Sequence, residues 1–584
     1  MSSLTIYTDG VWDLLHVGHL KLLEQARGMG ARLVVGVMSD DRMEADKRRP
    51  IMSLEERSSA LEHVRWVDKV IPDAPDPSDI DATFLEEHGI DLVVHAFPEG
   101  ERWKIQAEYA YLISIGKFKE LQRTAGINTS DLIARCQAAR AVVAAVVAPD
   151  DALEVQGHLN TQQDISDFVK LREYEPKSYA TRYGLNIIGA KDHLVRASNG
   201  KQYIDCLNGF GVHVFGHNAD FLHGVIRDFI QRSAIWQCLD IATPERTAFI
   251  EEVFSVLPPT LARHKIAFAG CSGSEAVEQA IQLARRHTCR DCVFAFSGCY
   301  HGNTHLTSTL TGNQGVPHGV RSPNIHHFPF PRSSPAACPF GIGGSESSRA
   351  CMQYLRTAIQ SPKSGYQVPA AIIVEPVQSD GGIIAAPAAF LQDLARLCQE
   401  HRILLICDEV QTGCGKLGTW LGCERAGPDF APDIVCCSKA WGGGFPVSFC
   451  LYSPELYGLP HSGTFRGNQI AFVAGAACIR EMKARGILSH VRSMEAFWRA
   501  RSAVTLAGHD AVAECRAEGS LFAVELKTPQ LARTAFDRLL ANGVLCKLGG
   551  CHDRTLIFWM GLCVPLSVCD EICSRVDEVL MNLN

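Results

Sequence analysis

Short apolar runs alternate with amphipathic stretches along the chain, and the alternation breaks once. Runs at 4–8, 32–37, 67–71 and 91–95 read as strands, and the spacing of apolar positions over 19–29 predicts a helix between the first two. Strands separated by helical patterns pack as a parallel sheet covered by helices, so residues 1–136 are expected to form one α/β domain. Over 137–168 the pattern weakens. RAVVAAVVAP at 140–149 is short, alanine-rich and bounded by Pro149, which reads as a connecting helix rather than a membrane span. From 169 onward a hairpin around Asn199 and Gly200 leads into strand patterns at 266–269, 293–296, 371–375, 403–407 and 434–437, again alternating with helical ones. A second, larger α/β domain over 169–584 is expected.

The whole-chain numbers agree with several domains. At about 100 to 200 residues per domain, 584 residues leave room for more than one active site. With 46% hydrophobic and 21% charged residues the composition is that of a globular chain, not a disordered one. A net charge of -8 gives no overall footprint for nucleic acid or an anionic membrane. The start, MSSLTIYTDG, lacks the basic and apolar regions of a signal peptide, so the expected location is cytoplasmic. The 23 cysteines then read as small buried hydrophobes of a reduced compartment. The sole CxxC, Cys289 to Cys292, has no second pair at zinc spacing, and no metal ligands are assigned.

Chemistry first appears in YTDGVWDLLHVGHLKLLEQA at 7–26. His16 and His19 are three apart at a helix start, beside Gly18, which lets backbone approach closely. Two imidazoles and the amides of a helix N-terminus suit a polyphosphate and the charge that grows on it during transfer. A second segment, RTAGINTSDLI at 123–133, adds the fixed fork of Arg123 and the hydroxyls of Thr124, Thr129 and Ser130. Together these resemble the HxGH and RTxGIST signatures of the cytidylyltransferases that make CDP-ethanolamine, CDP-choline and CDP-glycerol, and 36–70 resembles that family throughout. The resemblance implies a doubly wound, Rossmann-like nucleotidyltransferase domain. In it His16 and His19 contact the phosphates of CTP, Lys47 and Arg123 neutralise phosphate, and Gly10, Thr124, Gly126 and Thr129 help hold the nucleotide, with Mg2+ bound alongside CTP. One departure bears on the acceptor: Ala96 and Phe97 stand where the family commonly has Gly-Asp.

The second domain carries an ordered set of motifs: CSGSEAVEQAIQLARR at 271–286, SGCYHG at 297–302, EPVQSDGG at 375–382, CDEVQTGCG at 407–415 and CSKAWGGGFP at 437–446. Gly273 and Ser274 sit at a helix start suited to a phosphate dianion. Asp408 ends an apolar strand and needs a buried cationic partner, which a protonated pyridine nitrogen would supply. Lys439 follows an apolar run and precedes three glycines, a setting unlike that of a solvated surface charge. These features resemble class III, fold-type-I, pyridoxal-phosphate aminotransferases, and GTFRGNQIAFV at 463–473 is similar to the diaminobutyrate and ectoine-pathway branch. The resemblance implies a large α/β domain over about 216–465 and a smaller domain from the rest. It makes Lys439 the Schiff-base lysine and Asp408 the partner of the pyridine nitrogen of pyridoxal 5'-phosphate. Val410 and Tyr300 pack on the two ring faces, Gln411 reaches the ring oxygen, Glu375 lies on the substrate side, and Gly273 and Ser274 hold the phosphate. Thr464 reaches the phosphate of the neighbouring subunit, which implies a homodimer. Many members carry an arginine just before a Pro-Pro-Leu near the C-terminus; here LIFWMGLCVPLSV at 556–568 has none, and Arg466 is an alternative anion grip.

Three functions fit the fusion. The first couples the sites: an aldehyde or ketone bearing phosphate or phosphonate is aminated, with glutamate as donor, and the cytidylyl group is added to give a CDP-linked amino alcohol or a CMP-aminoalkylphosphonate. The second joins two catalysts acting on unrelated metabolites. The third makes 1–136 a regulatory nucleotide-binding module.

Overall fold

The structure is a computed structural model and describes residues 3–41, 50–97, 101–122, 129, 179–312, 322, 324–334, 338–458 and 463–583. It divides into two compact units, Met1–Asn160 and Thr161–Asn584. The connecting helix expected at 140–149 lies outside the described residues.

In the first unit β1 (Thr5–Gly10), β2 (Arg32–Val37), β3 (Lys69–Pro72), β4 (Leu92–His95) and β5 (Phe118–Glu120) form one sheet in the order β3-β2-β1-β4-β5. Every pairing is parallel. Successive residues of β1 point to opposite faces, and both faces are covered: Ile6 packs with Leu23 and Val35, Tyr7 with Leu85 and Val93. Burial on both sides is why these strands read as continuous apolar runs. Strand order reverses at β1, which opens a crevice at the carboxyl ends of the strands. Helix α1 (Val17–Met29) begins just after that edge, two residues earlier than its apolar spacing predicts, because His16 caps it.

In the second unit the main sheet comprises β6 (Lys265–Gly270), β7 (Val293–Phe296), β8 (Ile325–Phe328), β9 (Ala371–Val374), β10 (Leu404–Asp408), β11 (Ile434–Cys437) and β12 (Ser448–Tyr452), in the order β8-β7-β9-β10-β11-β12-β6. The strands from β8 to β11 are parallel, and β12 runs antiparallel to both its neighbours. Helix α2 (Gly273–Thr288) lays Ala276, Ala280 and Ala284 against Ala295, Ile373 and Ile406. Alternate residues of the same strands, Phe294, Ile372 and Leu405 among them, enter the core on the other face. Glu375 falls just beyond β9, and Asp408 is the last residue of β10. The expected hairpin joins Leu194–Ala197 to Gln202–Asp205, with Gly200 at φ +81 in its turn. A C-terminal sheet of β13 (Val512–Glu518), β14 (Leu521–Leu526), β15 (Lys547–Gly549) and β16 (Thr555–Trp559), in the order β13-β14-β16-β15, has its own core, where Trp498 stacks on Phe522 at 4.5 Å. Among the described residues no helix is long and apolar enough to cross a membrane, and every described cysteine is a free thiol.

Candidate active sites

The loop from β1 to α1 is held in an uncommon shape. Trp12 and Leu14 have left-handed backbones, φ 57 and 48. Such residues cost on the order of 1 kcal/mol each and persist only where surrounding contacts over-determine them. Those contacts are present. Trp12 Nε1 donates to the Gly36 carbonyl at 2.8 Å, and Asp13 accepts from the amides of Ile51 and Met52 at 3.1 and 3.0 Å. Arg57, wholly buried, donates to the carbonyls of Val11, Met38 and Met52 and pairs with Asp40. The Arg57 fork therefore fixes the backbone beyond β1 and β2 together.

His16 caps α1, its Nδ1 accepting from the Gly18 N–H at 3.0 Å. A ring nitrogen that accepts carries no proton, so the neutral imidazole has its proton on Nε2, the nitrogen 3.5 Å from Thr129 Oγ1. Thr129 in turn donates to the Asp13 carbonyl at 3.2 Å, and His19 stacks on His16 with ring centroids 3.9 Å apart. His16, His19 and Thr129 thus come together beyond Gly10, where a Cβ would lie 3.2 Å from the Trp12 ring. Lys47, Arg123, Thr124 and Gly126 lie outside the described residues. At the departure after β4, Phe97 turns inward, with its ring 4.5 Å from that of His95 and 5.6 Å from that of Tyr109. The carboxylate at this edge is Asp9, which accepts from the Tyr109 hydroxyl at 3.2 Å. Burial and Asp9 hold the Tyr109 phenol well above its ordinary pKa, so it stays a donor.

In the second unit Lys439 follows β11 with a left-handed backbone, φ 50, and Gly443 and Gly444 continue that shape at φ 60 and 103. Its Nζ donates to Gln411 Oε1 at 2.9 Å. Desolvation pulls the Lys439 amine down to about 8, against the upward pull of Asp408 and Glu375. Asp408 is buried, its Oδ1 accepting from the Val410 amide at 3.0 Å and its Oδ2 lying 2.7 Å from His301 Nδ1. Burial opposes charge on His301, but Cys299 and Asp408 outweigh it and hold the imidazole well above its usual range. Burial also pushes Glu375 up to about 8, and it accepts from the amides of Tyr300 and Ser379 at 2.9 and 3.4 Å.

The first turn of α2 meets these groups through glycine. A Cβ on Gly273 would sit 2.5 Å from Val410, and one on Gly302 would sit 2.3 Å from Ser274 Oγ, so the absence of side chains lets the helix start, Val410 and the 300–303 loop close together. The structure therefore gathers Gly273, Ser274, Tyr300, Glu375, Asp408, Val410, Gln411 and Lys439 around the carboxyl ends of β7, β9, β10 and β11. Thr464 is apart from this group, exposed on the turn Thr464–Gly467. Arg466 beside it donates to Asp240 at 2.6 Å.

Two residues of this site escaped the reading of the sequence. His301, inside SGCYHG, is the protein's own partner for Asp408. Lys416 is buried, with Nζ donating to the Gly211 carbonyl and, at 3.3 Å, to the same Gln411 oxygen that Lys439 uses. Burial and the charge of Lys439 hold Lys416 well below the ordinary lysine range. The available signals were a histidine in a loop leaving an apolar strand and a lysine inside a run rich in glycine and cysteine.

A largely buried lysine poised near neutrality, a buried carboxylate and a glycine-opened helix start suit a carbonyl cofactor that bears a basic ring and a phosphate. Pyridoxal phosphate fits this donor set, and Gln411 Nε2 is a buried donor with no hydrogen-bond partner. The class-III aminotransferase family matches residues 177–580, and the cytidylyltransferase-like family matches 7–135. The chain belongs to the class-III aminotransferases, which use pyridoxal phosphate, and carries a cytidylyltransferase-like domain ahead of that region. It is 32% identical over 428 residues to a diaminobutyrate–2-oxoglutarate aminotransferase of Rhizobium meliloti, covering 70% of this chain and 89% of that protein. With the Haemophilus influenzae protein of the same description it shares 36% over 334 residues, 56% of this chain and 72% of that one. A solved transaminase from the marine bacterium Virgibacillus shares the fold, with a TM-score of 0.63 at 20% identity over 71% of this chain and 98% of that one.

Proposed function

We propose that the chain is a bifunctional cytoplasmic enzyme with domains 1–136 and 169–584 joined by 137–168. The second domain transfers an amino group from glutamate to an aldehyde or ketone bearing phosphate or phosphonate. The first joins the cytidylyl group of CTP to that phosphorus oxyanion, giving a CDP-linked amino alcohol or a CMP-aminoalkylphosphonate. The observation that carries this reading is the presence, in one chain, of the Lys439–Asp408 cluster and of the His16–His19–Thr129 cluster at a helix start.

In the second domain Lys439 anchors the cofactor and carries a proton at Nζ, and an amine near pKa 8 can both give and take one close to neutral pH. Bound there, pyridoxal phosphate supplies a ring that withdraws electrons from the carbon losing its proton. Asp408, steadied by His301, would pair with the ring nitrogen. Val410 and Tyr300 would cover the ring, Gln411 would meet its oxygen, Gly273 and Ser274 would hold its phosphate, and Glu375 would border the substrate. Thr464 serves the phosphate of a second copy. Exposed Trp236, Leu239, Ile241 and Phe465 support that dimer, for Gln237 bridges to Asn468 beside the Thr464 turn and a patch of this kind favours burial.

In the first domain an acceptor oxygen attacks the α-phosphorus of CTP, and the bond to pyrophosphate breaks. His16, donating through Nε2, and His19 stabilise the phosphate charge at the start of α1. Lys47 and Arg123 neutralise it, Gly10, Thr124, Gly126 and Thr129 hold the nucleotide, and magnesium bound with CTP would supply further positive charge for the leaving group. The inward packing of Phe97 favours a second reading, in which this domain binds nucleotide without transfer.

The test supplies the full chain with CTP, magnesium, glutamate and a panel of phosphorylated or phosphonylated carbonyl compounds, following pyrophosphate and the aminated product separately. Both should appear with one compound of the panel. No pyrophosphate with any acceptor refutes the coupled reading and leaves the regulatory one.

A further inference from the structure

One buried charge pair near the second site has no part in the roles above. Lys547 opens β15 and is only 8% exposed. Its ammonium pairs with Asp380 and lies 5.1 Å from the centroid of the Trp559 ring. Trp559 Nε1 donates to Ser379 Oγ at 2.8 Å, and the Ser379 amide donates to Glu375 at 3.4 Å, so three contacts, the first of them the 5.1 Å approach to the ring, link Lys547 to Glu375, a group that also acts on Lys439. On its other side Trp559 meets Phe210 at 5.5 Å, and Phe210 meets Tyr179 at 4.5 Å. Gly211, next to Phe210, abuts Gln411: a Cβ there would lie 2.7 Å from Oε1, the atom that receives Lys439. An aromatic wall therefore leads from the Lys547–Asp380 pair to Lys439.

A buried lysine–aspartate pair is weak support for a fold, since an apolar side chain of similar size would fill the same space with no charge to desolvate. Charge kept here has a use other than stability. Arg182, exposed over the Tyr179 ring at 5.7 Å, also acts on Lys547 by its charge. Asp553 acts on Lys547 in the opposite sense, so Arg182 and Asp553 offset each other and Asp380 is the anion that Lys547 itself pairs with. The stretch 556–568 supplies no arginine fork for a planar carboxylate. An ammonium is a compact point charge, which matches a tetrahedral oxyanion at least as well as a planar one, and a dianion outcompetes the single charge of Asp380.

We propose that Lys547 is the anion grip of the aminotransferase site, taking the phosphate or phosphonate group of the substrate in place of Asp380, with Arg182 as the second cation. This deepens the function proposed above and rests on it for the position of the site.

The test titrates methylphosphonate, inorganic phosphate and acetate, at constant ionic strength, into the full-length holoenzyme. The visible circular dichroism of its cofactor reports on this site and not on the cytidylyltransferase-like domain. Methylphosphonate and phosphate should perturb the signal at lower concentration than acetate. In Lys547→Met the midpoint should rise about tenfold or more, the scale of one charge-assisted contact. Asp380→Asn keeps the lysine and removes its competitor, so its midpoint should fall by about threefold. With phosphonoacetaldehyde as amino acceptor, Lys547→Met should raise KM about tenfold with little change in kcat, the pattern of a binding contact. Unchanged midpoints in Lys547→Met, an unchanged or higher midpoint in Asp380→Asn, or acetate acting as well as methylphosphonate each overturn the proposal. If phosphonoacetaldehyde is aminated and Lys547→Met handles it normally, the grip fails and the substrate class stands. If it is not aminated but the methylphosphonate midpoints shift as expected, the grip stands and that substrate fails.

Discussion

The two units set their candidate residues in opposite surroundings. In the first, His16, His19 and Thr129 are half-buried at a crevice rim, held by a helix cap and by backbone contacts. In the second, Asp408, His301, Glu375 and Gln411 are buried, and the surroundings raise His301 and Glu375 above their ordinary ranges. The contrast follows from the chemistry each site is suited to. A phosphoryl-type transfer brings in and releases highly charged groups, so fixed donors at an accessible helix start serve it. Moving a proton to and from carbon needs an amine and carboxylates tuned by desolvation. Both sites nonetheless spend backbone strain: Trp12 and Leu14 in one, and Lys439 and Phe210 in the other, have positive φ without being glycine.

The sharpest way to break this comparison is to silence one site and watch the other. Lys439→Ala should abolish transamination by about 10^4-fold or more and remove the visible cofactor band, while CTP-dependent pyrophosphate release continues when an already aminated phosphate or phosphonate acceptor is supplied. His16→Ala should do the reverse, lowering pyrophosphate release by about 10^2- to 10^3-fold, the scale of one lost transition-state donor, with transamination rates unchanged. Loss of both activities in either variant would show that the sites are not independent.

Stability should separate the units in the same way. His301→Leu leaves Asp408 buried without its partner and should destabilise the second unit by about 3 kcal/mol, whereas Thr129→Val in the first should cost about 1 kcal/mol, as calorimetric unfolding can resolve. Equal effects would contradict the claim that His301, a buried ion-pair partner, contributes more to its unit than the half-buried Thr129 does to the first. The smallest effect is on pH. Only a neutral amine attacks a carbonyl, so protein stripped of cofactor should reload faster as pH rises, by about tenfold per unit below the Lys439 pKa, and level off above about 8. Asp408→Asn removes a charge that holds this lysine up, so its plateau should begin at lower pH. A plateau that does not move would remove Asp408 from the electrostatics of Lys439.

What the sequence disclosed, and what it hid, follows from where each contact lies along the chain. The runs at 293–296 and 434–437 coincide with β7 and β11 because strands covered on both faces must be apolar throughout. Gly273, Asp408 and Lys439 were legible because each stands at the end of an apolar run, inside a motif with local spacing. His301 was not, for its meaning comes from Asp408, 107 positions away. Lys416 and Lys547 were hidden for the same reason: their partners at Gly211 and Asp380 are near only once separate motifs have packed. Phe97 was visible as a departure, but its inward packing on His95 and Tyr109 required the fold.

The central claim is that the two sites serve one metabolite, and nitrogen tracing tests it most directly. The full-length enzyme is given CTP, magnesium, a phosphonate- or phosphate-bearing aldehyde and glutamate labelled with heavy nitrogen, and the cytidylylated products are weighed by mass spectrometry. Coupled sites predict a CMP- or CDP-linked product that carries the heavy nitrogen, absent in both Lys439→Ala and His16→Ala. Labelled amine that never acquires a cytidylyl group, with cytidylyl transfer only to unrelated acceptors, would contradict it.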